Sequence, residues 1–110
     1  MSYIPDKGDI VWVEFNPQKG REQAGHRPAL VISPYEYNVR TFLAIVVPVT
    51  SKIKGYPFEV KITGSKIQGV ALADQVKSLD YKARNFKFIE KANNFEVVEI
   101  LYKIKLLLKI

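Results

Sequence analysis

The side chains best equipped for chemistry sit in one short polar stretch, Glu22-Gln23-Ala24-Gly25-His26-Arg27-Pro28. A carboxylate and a guanidinium at one site can open an RNA phosphodiester without a metal. The carboxylate takes the proton from a ribose 2′-OH. The cation stabilises charge building on the phosphorane oxygens. Arginine suits this work, because its planar fork matches phosphate geometry and stays charged. The products are then a 2′,3′-cyclic phosphate and a 5′-hydroxyl end. His26 can add acid–base help near neutral pH. Spacing alone favours a blander alternative, a solvated loop with an internal Glu22–Arg27 ion pair.

Other candidates lie further along. Thr50 and Ser51 follow Pro48 at a strand end and can donate to a phosphate, although a turn uses the same residue types. Asp74-Gln75 interrupts an apolar stretch. Asp74 suits a second carboxylate or a base reader, and equally a bend where it bonds backbone groups. Lys54 lies in a polar loop, and Lys77 opens a basic group with Lys82, Arg84, Lys87 and Lys91. His26, Ser51, Lys54, Asp74, Gln75 and Lys77 are therefore candidate substrate contacts. Tyr81, Phe86 and Phe88 lie among the cations. Such aromatic faces can stack bases, but in a strand they are more often core, and Phe86 and Phe88 are expected on one inner face. No phosphate-binding glycine loop, dinucleotide fingerprint or serine nucleophile elbow is present.

These residues need a scaffold. Asp9 to Phe15 alternates as a first strand, with Ile10, Trp12 and Glu14 on one face and Val11, Val13 and Phe15 on the other. Asn16 to Arg27 reads as a polar loop. Strands are expected at Pro28–Ser33, Phe42–Val49, Phe58–Ile62 and Asn85–Glu90. Gly69–Ala73 and Gln75–Leu79 are expected to form one long or bent strand across Asp74. Tyr35 to Arg40 suits a helical turn. From Phe95, apolar residues at Val97, Val98, Ile100, Leu101, Ile104, Leu107 and Leu108 describe one helical face. Asn93 or Asn94 can cap that helix, and Glu99 and Lys103 are spaced for an ion pair. The pattern is mainly β with a C-terminal α-helix packed on its own sheet, as in a small barrel or sandwich.

The 110 residues fit one domain, 1–110. There is no cysteine and only one histidine, so thiol catalysis, disulfides and multi-histidine metal sites are excluded. No cofactor or metal is called for. Lys plus Arg number 17 against 11 Asp plus Glu, a formal charge of +6, which suits a polyanion such as RNA. The N-terminus has neither a basic start nor an apolar run, and no stretch is long enough to span a bilayer. A soluble, cytoplasmic protein with no membrane partner is expected.

Gly8-Asp9-Ile10-Val11-Trp12-Val13, the run from Glu22 to Pro34, Lys54-Gly55-Tyr56-Pro57-Phe58-Glu59-Val60, and Gly69-Val70-Ala71-Leu72-Ala73-Asp74-Gln75-Val76-Lys77-Ser78 resemble the MazF/PemK toxin family. They stand in the family's order and spacing from about Tyr3 to Arg84, closest to its MazF branch. Asn85 to Ile110 keeps a strand-then-helix pattern without a recognisable family sequence. The resemblance implies an SH3-like small barrel of the MazF/CcdB type and a homodimer. It implies a sequence-specific, metal-independent endoribonuclease of a type II toxin–antitoxin system, an mRNA interferase that stops translation and growth. The partners would be single-stranded RNA and a cognate acidic, MazE-like antitoxin. Carried over by residue, Glu22 matches the family's catalytic glutamate, the base. Arg27 matches its arginine, the phosphate stabiliser and proton donor, and Thr50 the threonine that holds the scissile phosphate. Two alternatives need no such motif: a non-catalytic, gyrase-binding toxin like CcdB, and an SH3-like module that only binds RNA or protein.

Overall fold

Seven antiparallel strands form a curled sheet in the computed structural model, which describes residues 3–15 and 25–110. The elements are β1 (Asp9–Glu14), β2 (His26–Val31), α1 (Tyr35–Thr41), β3 (Leu43–Thr50), β4 (Glu59–Thr63), β5 (Gln68–Leu72), β6 (Lys77–Asp80), β7 (Lys87–Lys91) and α2 (Asn94–Leu108). The strand order is β4-β5-β3-β2-β1-β7, with β6 also paired to β3. The expected mainly-β architecture with a C-terminal helix is present.

Alternation in the central strands buries both of their faces. Ile10, Leu30, Val47 and Val49 join Val60, Ile62 and Ala71 in one core, closed by Val97 and Ile100 of α2. Val11, Val13, Ala29, Val31 and Val46 point the other way and pack with Leu79, Tyr81 and Phe86. Ile10–Val13, Ala29–Val31 and Leu43–Val49 therefore read as apolar runs, because period two places alternate residues in two different cores.

Three expectations change in the sheet. His26 and Arg27 belong to β2 and not to the preceding loop, because Glu14 pairs with His26 and Val13 with Arg27. The remainder of that loop, residues 16–24, lies outside the described residues. The long strand across Asp74 is two strands. Both β5 and β6 lie antiparallel along β3, against Val49–Thr50 and Leu43–Val46 respectively. The turn at Ala73-Asp74 separates them, with the Gln75 N–H closing onto the Leu72 carbonyl at 3.0 Å. Phe86 and Phe88 do not share an inner face. Phe86 is buried beside Tyr81, while Phe88 is half exposed against Tyr3. The Tyr81 hydroxyl, pushed above its ordinary pKa by burial, donates to the Asn38 carbonyl at 2.9 Å. It is a core group and no base-stacking platform.

Asn93 caps α2 by accepting from the Phe95 N–H at 3.1 Å. The helix is tied to β4 twice. Glu96 accepts from the Thr63 N–H and hydroxyl, and Lys103 donates to the Glu59 carbonyl at 2.9 Å. The Glu99–Lys103 pair is also present, at 3.5 Å. Val97, Ile100, Leu101 and Ile104 face the sheet. Phe95 and Val98 do not, and are 82% and 56% exposed. The apolar residues thus form two faces where the spacing suggested one. No helix among the described residues is long and apolar enough to cross a membrane.

Candidate active site

Arg27 stands near the start of β2 and Thr50 at the end of β3. These strands pair antiparallel with Ala29 opposite Pro48. The pairing ends there, and Arg27 and Thr50 lie two residues beyond it on their respective strands. The two side chains, with Ser51, line a cleft of about 230 Å³. Pro28 and Val49, Lys66 and Ile67 of the β4–β5 connection, and Gln68 at the start of β5 complete its lining and give it a second wall.

Local chemistry fixes the Thr50 corner. Its hydroxyl accepts from the Lys52 N–H at 3.2 Å, a short side-chain turn that leaves the hydroxyl proton to donate outward. Gly69 runs directly against this corner. A Cβ there would lie 2.2 Å from the Thr50 carbonyl oxygen, and its φ of +150° favours glycine. The following loop is held from behind. The buried Glu59 carboxylate accepts from Lys54 N at 3.2 Å and from Gly55 N at 3.0 Å.

Glu22 lies outside the described residues. The ends of its segment do not: the Phe15 N–H donates to the Gly25 carbonyl at 2.9 Å. Gly25, with φ +77°, then leads into His26 and Arg27. Glu22 is five residues from Arg27 in sequence.

The cleft brings together Arg27, Thr50 and Ser51. His26, Lys54, Asp74, Gln75 and Lys77 are not among its lining residues. The His26 ring stacks on Trp12 at 5.0 Å and 19°. Asp74 sits at the β5–β6 turn with its carboxyl raised above the ordinary value, first by partial desolvation and then by the Glu59 charge, against a lowering backbone hydrogen bond. The Gln75 Oε1 is buried without a partner among the described residues. Sequence reasoning missed Lys66 and Gln68. The only signal was that Gly64 and Gly69 bracket them in a tight connection. Among the described residues, no group of three His, Cys, Asp or Glu side chains is arranged to hold a metal ion.

Arg27 and two hydroxyl side chains thus line one cleft of a curled antiparallel sheet that carries a C-terminal helix, which defines a small β protein with a cationic, hydroxyl-lined cleft. The chain belongs to the PemK-like, MazF-like toxin family of type II toxin–antitoxin systems, whose sequence profile matches residues 6–108. That match runs past Arg84, where the residues alone carried no resemblance. The endoribonuclease toxin MazF of Escherichia coli (strain K12) is 58% identical over 82 residues, 74% of each chain. A crystal structure of MazF from Deinococcus radiodurans superposes with a TM-score of 0.95 at 44% identity, covering 99% of this chain and all of that one. A MazE–MazF crystal structure from the same organism gives 0.87 at 40% identity, covering 99% of both chains.

Proposed function

We propose that this protein is the endoribonuclease toxin of a type II toxin–antitoxin pair, cutting single-stranded RNA at the Arg27–Thr50 cleft without a metal. The observation that supports the site assignment is the cleft that Arg27 and Thr50 both line, two residues far apart in sequence on neighbouring strands. In this reading Arg27 and the Thr50 hydroxyl hold the scissile phosphate. Glu22 removes the 2′-OH proton, and the 2′ oxygen attacks phosphorus. The bond to the 5′ oxygen breaks, that oxygen takes its proton from the Arg27 guanidinium, and Arg27 regains one from solvent as Glu22 releases the proton it took. A 2′,3′-cyclic phosphate and a 5′-hydroxyl end result. The reaction stops translation and so growth, and takes place in the cytoplasm.

The partners follow from charge and surface. A net charge of +6 suits RNA and, competing for the same groove, an acidic MazE-like antitoxin. The second apolar face of α2 supports a homodimer.

The test is digestion of a long RNA in EDTA, with the new ends sequenced. We expect 5′-hydroxyl ends at a short recurring motif. Glu22→Ala and Arg27→Ala should each lower kcat by about 10²-fold or more, with melting temperatures near wild type. Cutting by both variants at the wild-type rate would overturn the site.

A further inference from the structure

The second wall of the cleft is held by a residue from the opposite end of the sheet. The sheet ends in β4 on one side and β7 on the other. Its curl brings Glu90, near the end of β7, onto the connection between β4 and β5. The Glu90 Oε1 accepts from the Ser65 hydroxyl at 2.8 Å. Its Oε2 accepts from the Lys66 N–H at 3.0 Å and the Ile67 N–H at 2.9 Å. Gly64 permits this approach, since a Cβ there would stand 2.3 Å from Oε2. The exposed Gln68 amide also spans the connection, donating to the Gly64 carbonyl at 3.3 Å. One carboxylate thus holds three consecutive residues, and the middle one, Lys66, is exposed and lines the same cleft as Arg27 and Thr50. Among the described residues no carboxylate pairs with the Lys66 ammonium. The Ile67 N–H, opposed by partial desolvation and aided by the Ser65 hydroxyl and Lys66 N–H, keeps the Glu90 carboxyl below its ordinary value. It therefore stays an acceptor throughout the neutral range.

We propose that Lys66 forms a subsite for an RNA phosphate next to the scissile one, and that Glu90 is the positioning residue that aims it. The inference rests on the reading of the Arg27–Thr50 cleft as the RNA site, and adds a second anchor for the same strand. A lone cation at the rim contributes binding common to ground and transition states, so it acts on KM and leaves kcat alone. Its affinity term also comes from counterion release, so it appears in the salt dependence.

The experiment measures kcat and KM on a single-stranded RNA containing the cleavage motif, with binding of the same RNA over a salt series. Lys66→Gln should raise KM about fivefold with kcat unchanged. It should reduce the slope of log affinity against log salt by about 0.7. Glu90→Ala should reproduce the KM effect, while Glu90→Gln, which keeps one acceptor oxygen for the two N–H groups, should restore most of it. The double variant Lys66→Gln/Glu90→Ala should bind no worse than Lys66→Gln alone, because both changes remove one contact. Unchanged KM and slope in Lys66→Gln, in a protein whose wild type cuts RNA, would overturn this proposal alone. So would multiplying effects in the double variant. A wild-type protein that neither cuts nor binds RNA would overturn the cleft reading, and this inference with it.

Discussion

At the scale of single residues, the cleft depends on groups whose neighbours look more reactive. His26 is adjacent to Arg27 in sequence, yet successive residues of a strand point to opposite faces. Its ring is occupied against Trp12, while Arg27 lines the cleft with Thr50. The Thr50 hydroxyl is the testable member of this pair. One of its two lone pairs accepts from the Lys52 N–H, and its proton can be donated to a phosphate oxygen. Thr50→Ser keeps that donor and should keep kcat close to wild type. Thr50→Val keeps the shape, loses the donor, and should lower kcat by about 10- to 100-fold. The melting temperature of Thr50→Val should fall by about 4–8 °C, the cost of the one part-buried hydrogen bond lost to the Lys52 N–H. Equal kcat in the serine and valine variants would remove Thr50 from the chemistry.

At the scale of elements, the site depends on β5 lying flush against the end of β3. Gly69 permits it, because the space a Cβ would fill belongs to the Thr50 carbonyl. Gly69→Ala must push β5 away or distort Thr50, and also strains a backbone at φ +150°. A cost of about 1–3 kcal/mol is expected, read as a fall of several degrees in melting temperature together with a loss of kcat. Wild-type melting and turnover in Gly69→Ala would show that the close approach is unimportant. Elements with strong alternation, such as Asp9–Glu14, were legible in the sequence, as were the cap and apolar spacing of α2. The break between β5 and β6 was not. Both halves lie along β3, so their apolar pattern runs nearly continuously through the turn at Asp74. The same limit applies to the site. The Glu22–Pro28 motif is local and can be read directly, whereas the Lys66 wall and its Glu90 anchor meet only because the sheet curls.

At the scale of the whole molecule, α2 carries more apolar surface than its own sheet can cover. Val97, Ile100, Leu101 and Ile104 face inward. Phe95, Val98, Tyr102 and Leu106, spaced by three, four and four, lie along the opposite side. Their exposures are 82%, 56%, 58% and 56%. A helix apolar on two sides is normally covered on both, and a contiguous exposed patch marks an interaction surface. A second copy of the chain supplies the matching face in the proposed homodimer. A two-fold contact is self-complementary, so one substitution acts twice. Val98→Glu and Tyr102→Glu each place two carboxylates at such a contact, where apolar burial no longer compensates their desolvation. Sedimentation should give a dimer mass for the wild type and a monomer mass for both variants at the same concentration. Far-ultraviolet circular dichroism should be unchanged, because both positions point away from the core. A wild type that sediments as a monomer at high concentration would exclude the dimer. Variants that remain dimeric would move the contact to another face of the sheet.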